Sequence, residues 1–324
     1  MGAQTLTEFQ AHRGQLFGLA YRLLGDATEA EDVLQDAYLK WDARAAAAEP
    51  VRIPLAWLTK VVTNLCLNRL ASARSVREQY IGSWLPTPVF TADGVLGPLE
   101  TVEQRESVTL AMLALLEQLT PPERAVFVLR EAFDYRYRDI ADVLDRDEAH
   151  VRQLYRRART RIGQQHKRFN ADPIRHAEIV TRFFAAAVRG EVAALEELLA
   201  ADVVAWADGG GRMSLARRPI HGRDHVTRYF AALSRNPRAT GITLTIGLIN
   251  DQPAALAHRD NKLLAIVSMV IVDDLITAFY SIANPDKLTF AAAQYRTNPG
   301  GALSSTAIRT QVRVESESPG GRRD

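Results

Sequence analysis

The stretch Tyr137-Arg-Asp-Ile-Ala-Asp-Val-Leu144, Asp145-Arg-Asp-Glu148, Ala149-His-Val-Arg-Gln-Leu-Tyr-Arg-Arg-Ala-Arg-Thr-Arg-Ile162 decides how the middle of the chain folds. Ile140, Val143, Leu144, Val151, Leu154 and Ile162 recur at helical spacing on either side of a polar break. The pattern predicts a short helix over Tyr137–Leu144, a turn at Asp145–Glu148 and a longer helix over His150–Phe169. Ala141 supplies the small side chain that a tight helix crossing needs. This is a helix-turn-helix. Upstream, Leu116–Leu129 is helical in period but broken at Thr120-Pro121-Pro122-Glu123, where Thr suits an N-cap and Pro the first helical positions.

The second helix is strongly basic. Ala149 to Ala171 holds Arg152, Arg156, Arg157, Arg159, Arg161, Lys167 and Arg168, and no acid. Such a run is the electrostatic footprint of a phosphate backbone. Arg152, Gln153 and Arg156 near the helix start can reach base edges, since Arg pairs with guanine and Gln with adenine. Arg157, Arg159 and the later cations suit phosphates. The competing reading is a solvated basic face of an unrelated bundle.

Working toward the N-terminus, two helices of opposite charge appear. Leu23–Leu39 has five acids and no Lys or Arg; Pro50–Arg77 has five basic residues and no acid. Ala30, Val33, Leu34, Ala37, Tyr38 and Trp41 form the apolar stripe of the first. Leu55, Trp57, Leu58, Val61, Val62, Leu65, Leu67 and Leu70 give the second a broad apolar face. Either these are two solvated faces of one bundle, or two partner surfaces of opposite character. Between the helical zones, Glu78–Glu106 collects Gly82, Pro86, Pro88, Gly94, Gly97 and Pro98 and reads as a linker.

Toward the C-terminus the period changes. Ile174–Val188, Val192–Leu199 and Arg223–Leu233 are helical. Val203–Trp206, Ile242–Ile249, Leu263–Val272 and Leu275–Ile282 read as strands, with Asp208-Gly-Gly-Gly-Arg212 as a turn. Helices followed by a curved antiparallel sheet predict an α+β cone. Ala291–Asp324 is rich in Gly, Ser, Thr and Arg and reads as a flexible tail. The expected division is 1–77, 78–106 (linker), 107–170, 171–290 and 291–324 (tail), a multidomain chain of two all-α units and one α+β unit.

Composition bounds the function. The chain has 324 residues, 47% hydrophobic and 24% charged, with a net charge of +2. That is ordinary globular usage. A single cysteine, Cys66, excludes an internal disulfide framework and argues against a Cys-based metal site. Met1–Leu16 lacks the apolar run of a secretory signal, and the longest apolar stretch, Leu263–Val272, is too short to span a bilayer. A cytoplasmic location, no membrane and no cofactor or metal are expected.

Asp26-Ala-Thr-Glu-Ala-Glu-Asp-Val-Leu-Gln-Asp-Ala-Tyr-Leu-Lys-Trp41 resembles the core-binding helix of bacterial sigma factor region 2. Pro54-Leu-Ala-Trp-Leu-Thr-Lys-Val-Val-Thr-Asn-Leu-Cys-Leu-Asn-Arg-Leu70 resembles the following helix, which reads the −10 promoter element. Leu119-Thr-Pro-Pro-Glu-Arg-Ala-Val-Phe-Val-Leu-Arg130 and the helix-turn-helix after it resemble region 4, which reads the −35 element. Order and spacing match the extracytoplasmic-function sigma factors. The α+β cone looks like a SnoaL-like domain. Trp84-Leu85-Pro86, Asp208-Gly209-Gly210-Gly211 and Asn284-Pro285-Asp286-Lys287-Leu288 resemble motifs of the subgroup carrying a fused SnoaL-like extension. Arg212 stands where the glycine motif often continues with Lys.

The resemblance implies an alternative sigma factor regulated in cis. Asp32, Gln35, Asp36 and Tyr38 would contact core RNA polymerase, at the clamp helices of its largest subunit, with the flap as a further contact. Lys60, Asn64, Asn68, Arg69 and Arg74 would face the −10 element; Arg152, Gln153, Arg156, Arg157 and Arg159 the −35 element. The three short motifs would hold the extension against the sigma domains. A small-molecule ligand in the SnoaL-like pocket is the remaining partner this implies. Leu34, Tyr38 and Trp41 are equally readable as core, and Trp57 is better read as core than as a stacking platform. Two other classes compete: a SnoaL-like cyclase or isomerase tethered to a DNA-binding module, with Asp208, His221, Asp224 and His225 as acid–base candidates by type, and a ligand-sensing helix-turn-helix repressor.

Overall fold

A computed structural model describes residues 2–47, 51–78, 80–91, 94–97, 99–163, 172–213, 215–234, 236, 239–297 and 312–313. The first bundle is α1 (Gly2–Leu24), α2 (Ala27–Ala46) and α3 (Pro54–Glu78). Gly25 ends α1 at φ +68°, and the Asp26 carboxylate caps α2 by accepting from the Thr28 and Glu29 N–H groups at 2.9 and 3.1 Å. Then come α4 (Val102–Glu106), α5 (Leu110–Leu116), α6 (Pro121–Glu131), α7 (Tyr137–Leu144) and α8 (Glu148–Gly163). The break expected at Thr120–Glu123 separates α5 from α6, and the capping box there starts the new helix. Asp145 ends α7 in the left-handed region, at φ 51° and ψ 52°, which makes the sharp turn into α8. Residues 164–171, including Lys167 and Arg168, lie outside the described residues.

The two helical units share one core. Phe17, Leu24, Leu58 and Val62 from the first bundle and Val126, Leu129, Ile140 and Val151 from the second belong to the same buried cluster. Nor is the linker loose: Leu85, Thr87, Val89, Phe90 and Leu96 are all buried. Its prolines keep the chain extended while alternate apolar residues dock on both neighbours.

The C-terminal unit comprises α9 (Pro173–Arg189), α10 (Val192–Leu198), β1 (Leu199–Asp208), β2 (Ile220–His221), α11 (Arg223–Ser234), β3 (Thr243–Ile249), β4 (Gln252–Arg259), β5 (Lys262–Val272), β6 (Leu275–Ile282), α12 (Pro285–Thr297) and β7 (Val312–Arg313). The sheet order is β2-β1-β6-β5-β4-β3-β7. Its pairings are antiparallel except for β1 with β6, which is parallel. Three two-residue turns, Asn250-Asp251, Asp260-Asn261 and Asp273-Asp274, have both residues at positive φ, the geometry that tight hairpins of type I′ demand. β4 lacks polar–apolar alternation because both of its faces are covered. Residues 291–297, read from the sequence as the start of a tail, belong to α12, which runs to Thr297. Its Ala291 is fully buried, and Gln294 bonds the Phe90 backbone at both N–H (2.9 Å) and C=O (3.0 Å).

One face of the sheet packs under α9, α10 and α11. The other packs on the linker, α5 and α12. The first face is filled by Phe183, Phe230, Phe279 and Met269, with Phe ring centroids 4.5–5.0 Å apart. Beside this core lies His176, 4% exposed, whose Nε2 has no hydrogen-bond partner. Burial pushes its pKa down to about 4. The folded chain therefore takes up this proton at lower pH than the unfolded chain does. Stability from this group is full above pH 6.5 and falls as the pH drops toward 4, by about 2–3 kcal/mol. In urea titrations across that range, His176→Gln should flatten this slope; a variant with the parent's full slope would place the loss elsewhere.

Candidate nucleic-acid and interdomain interfaces

On α8 the apolar positions Val151, Leu154, Ala158 and Ile162 are buried. That turns Arg152, Gln153, Arg156, Arg157 and Arg159 outward, and all five are exposed. Arg152 is held in place: its guanidinium bonds Glu148 at 2.5 Å and lies 4.5 Å from the Tyr137 ring centroid. Arg161 reaches back to α6 and pairs with buried Glu123 at 2.7 Å, while about half of its side chain, 51%, stays exposed.

On α3, Asn64 is half-buried and Asn68 exposed. Arg69 reaches back to α2, where it pairs with Asp36 at 3.0 Å and Asp32 at 3.4 Å. Arg69 thus joins the two helices of opposite charge within one bundle. The acidic and basic helices are neighbours, and part of their charge is matched internally. Lys60 reaches the helix-turn-helix, donating to the Asp145 carboxylate at 2.6 Å and to the Asp142 carbonyl at 2.8 Å. A groove of about 680 Å³ separates the two elements, with His150 and Asp147 on its wall. The Tyr135 hydroxyl donates to Thr59 Oγ1 at 3.1 Å, a further bond between α3 and the segment before α7. Arg74 lies on α3, but its side chain is outside the described residues.

On α2, Asp32 and Gln35 are exposed and Asp36 and Tyr38 half-buried. Asp32, Gln35 and Tyr38, with Leu6 and Phe9, line a groove of about 270 Å³, of which Asp36 is not a part. Leu34 and Trp41, 2% and 6% exposed, are core. Trp57 packs on Trp41 with centroids 5.5 Å apart, as core spacing suggested.

The three short motifs meet at one point. The Asp208 side chain is fully buried and pairs with Lys287 at 2.7 Å. It also accepts from the Leu85 N–H at 3.0 Å, the Tyr80 hydroxyl at 2.5 Å and the Gly210 N–H at 3.1 Å. Lys287 donates to the Leu85 carbonyl as well, and its ammonium lies 4.0 Å from the Trp84 ring centroid. Burial, then the bond to Asp208, pushes the Tyr80 hydroxyl pKa up, so it stays a donor. Asn284 donates to Tyr80 at 2.8 Å and caps α12 through the Asp286 N–H at 3.1 Å. Pro285 opens that helix, and Leu288 is buried against the sheet. Gly210 has no alternative: at φ +59°, a Cβ there would lie 2.5 Å from the Asn284 side chain. Gly209 and Gly211 complete the turn, where Arg212 pairs with Asp286 at 3.0 Å. Pro86 is buried beside Leu85.

A second junction escaped the sequence reading. Asn250, at the β3–β4 hairpin tip, is 1% exposed. Its amide nitrogen donates to the Tyr21 hydroxyl and the Val108 carbonyl, both at 2.7 Å, and its oxygen accepts from the Val89 N–H at 3.1 Å. Tyr21 in turn donates to the Thr87 carbonyl at 2.5 Å. One side chain thereby joins α1, the linker, the segment before α5 and the sheet. The Asn-Asp dipeptide was the available signal, as a hairpin turn. The acid–base candidates do not converge: His221 is exposed on β2, His225 and Asp224 are exposed on α11, and Asp208 is committed to Lys287.

Comparison with known proteins matches residues 9–76 to Sigma-70 region 2 and residues 109–162 to Sigma-70, region 4. The chain is 36% identical to the ECF RNA polymerase sigma factor SigJ of Mycobacterium tuberculosis, over 88% of this chain and 93% of that protein. It is 30% identical to the probable ECF RNA polymerase sigma factor SigI of the same species, over 86% and 93%. The crystal structure of the M. tuberculosis sigma factor SigJ superposes with a TM-score of 0.70 at 34% identity, covering 88% of this chain and 99% of that one. With regions 2 and 4 in order and the α+β domain behind them, this chain belongs to the extracytoplasmic-function RNA polymerase sigma factors, the alternative sigma factors of transcription initiation.

Proposed function

We propose that this sigma factor is held by its own C-terminal domain in a closed form, which opens when core RNA polymerase and promoter DNA engage it in the cytoplasm. The observation that carries this is the junction at Asp208, where the linker, the glycine turn and the start of α12 share one buried ion pair. A tethered domain acts at high effective concentration, so contacts of this size suffice to set the spacing of regions 2 and 4. The −35 and −10 elements are about 25 base pairs apart, roughly 85 Å of B-form helix. Yet Lys60 on α3 touches the turn of the helix-turn-helix. The two helices cannot read both elements of one promoter in that arrangement.

In this reading Asp32, Gln35, Asp36 and Tyr38 meet the clamp helices of the largest polymerase subunit, with the flap as a second contact. Arg152, Gln153, Arg156, Arg157 and Arg159 read the −35 element. Lys60, Asn64, Asn68 and Arg74 face the −10 element, and Arg69 joins them by exchanging Asp32 and Asp36 for phosphate. The C-terminal domain acts as a regulator and not as an enzyme. Its aromatic core favours a packing role over ligand capture. The test is transcription by purified core polymerase with the full chain on a library of promoter fragments. Transcripts starting behind defined −35/−10 pairs are expected. Binding to duplex DNA without initiation would overturn the proposal in favour of a repressor.

A further inference from the structure

Three Lys or Arg residues are buried among the described residues, Arg22, Arg124 and Lys287. Two are balanced by carboxylates: Arg124 by Glu117 at 2.5 Å and Lys287 by Asp208 at 2.7 Å. Arg22, 2% exposed, is bonded by none. Its guanidinium is held by three uncharged oxygens. Nε donates to Ser107 Oγ at 2.8 Å, Nη1 to the Gly18 carbonyl at 2.8 Å and Nη2 to the Gln104 carbonyl at 3.2 Å. Of the five N–H donors of a guanidinium, two remain. Burial pushes its pKa down to about 9, so it carries an unbalanced positive charge at neutral pH. A buried charge without a counter-ion is costly.

That cation forms the wall of a cavity of about 210 Å³, with Gln15, Leu96, Glu100, Gln104 and Phe133 around it. Phe133 presents its ring 5.3 Å from the guanidinium carbon. Gly18 makes the approach possible: a Cβ there would lie 2.4 Å from the Leu96 carbonyl oxygen and 2.8 Å from Arg22 Nη1. We propose that this cavity binds a small organic carboxylate, whose two oxygens take the two open N–H donors of Arg22 and balance its charge. The apolar walls of Leu96 and Phe133 suit a short hydrocarbon body, and the Gln15 amide suits a polar substituent, while the Gln104 amide oxygen is taken by the Glu100 and Thr101 N–H groups. Glu100 at the rim disfavours an anion of higher charge. The walls come from α1, the linker and the segment after α6, so an occupant would tie region 2 to region 4.

The test uses the full chain alone, without polymerase or DNA, so its outcome is independent of the proposed transcriptional role. The thermal midpoint is followed against sodium acetate and sodium propionate, with sodium chloride and sodium phosphate at matched ionic strength. A saturable rise of about 5 °C is expected at a 100-fold excess of carboxylate over its Kd. Arg22→Lys keeps the charge but loses the fork and should weaken binding at least tenfold. Gln15→Glu, at a half-buried position, sets a fixed carboxylate in the wall and should abolish the response even where Arg22→Lys fails to fold. An equal rise with phosphate or chloride, no saturable rise, or a parental response in Gln15→Glu would each overturn the proposal.

Discussion

Replacing Asp208 by alanine should destabilise the folded chain by about 3–5 kcal/mol, the cost of removing one partner from a buried ion pair. The Asp208 side chain is fully buried and that of Lys287 is 7% exposed, so neither charge has water to fall back on. The carboxylate also satisfies the N–H groups of Leu85 and Gly210 and the Tyr80 hydroxyl, and these donors would be orphaned together. The loss should be strongly coupled to Lys287. The double variant Asp208→Asn, Lys287→Met removes both charges while keeping shape, and should recover a large part of the loss in urea unfolding. In transcription with core polymerase, Asp208→Ala should also change output from a fixed promoter, because it unfastens the linker from the C-terminal domain. A destabilisation below about 1 kcal/mol, or additive effects of the two changes, would mean that the pair does not hold the junction.

How much of this was legible in the sequence varies with the range of the contact. The helix-turn-helix was readable because its signals are local: apolar residues at helical spacing, a polar turn and an unbroken basic run. The three short motifs were readable as motifs, and they meet, since Trp84, Leu85, Asp208, Asn284 and Lys287 form one network. Tyr80 and Asn250 were not legible. Nothing local distinguishes a tyrosine in a polar linker, or an asparagine at a hairpin tip, from a solvated one. Each acquires its partners across more than a hundred residues of chain. β4 was missed because burial on both faces removes the alternation by which strands are read. α12 was missed because Ala291–Thr297 has little apolar content besides alanine. Arg69 shows the opposite failure. Its charge was plain and the two helices read as parts of one bundle, but no local signal pairs Arg69 with Asp32 and Asp36.

Lys60 gives the second large effect, with opposite signs from its two ends. If it holds a −10 phosphate in the open form and Asp145 in the closed one, the Asp145 carboxylate occupies the place of the phosphate. Lys60→Glu would lose a cation and add an anion at the DNA face. Binding of the polymerase–sigma complex to promoter DNA should fall at least 100-fold in low salt, with a shallower salt dependence. Asp145→Asn should act in the other direction. Asparagine tolerates the left-handed backbone that Asp145 adopts, so the turn survives while the competing charge is removed. The pair is largely exposed, with 38% and 73% of the two side chains accessible, so its own worth is about 1 kcal/mol or less. The expected gain in promoter affinity is accordingly about threefold to fivefold at low salt and vanishes at high salt. Fluorescence energy transfer between labels on α3 and α8 should report a wider mean separation for Asp145→Asn in the free protein. Were both substitutions to weaken DNA binding, Asp145 would be a promoter contact or a folding residue, and the competition between carboxylate and phosphate would be refuted.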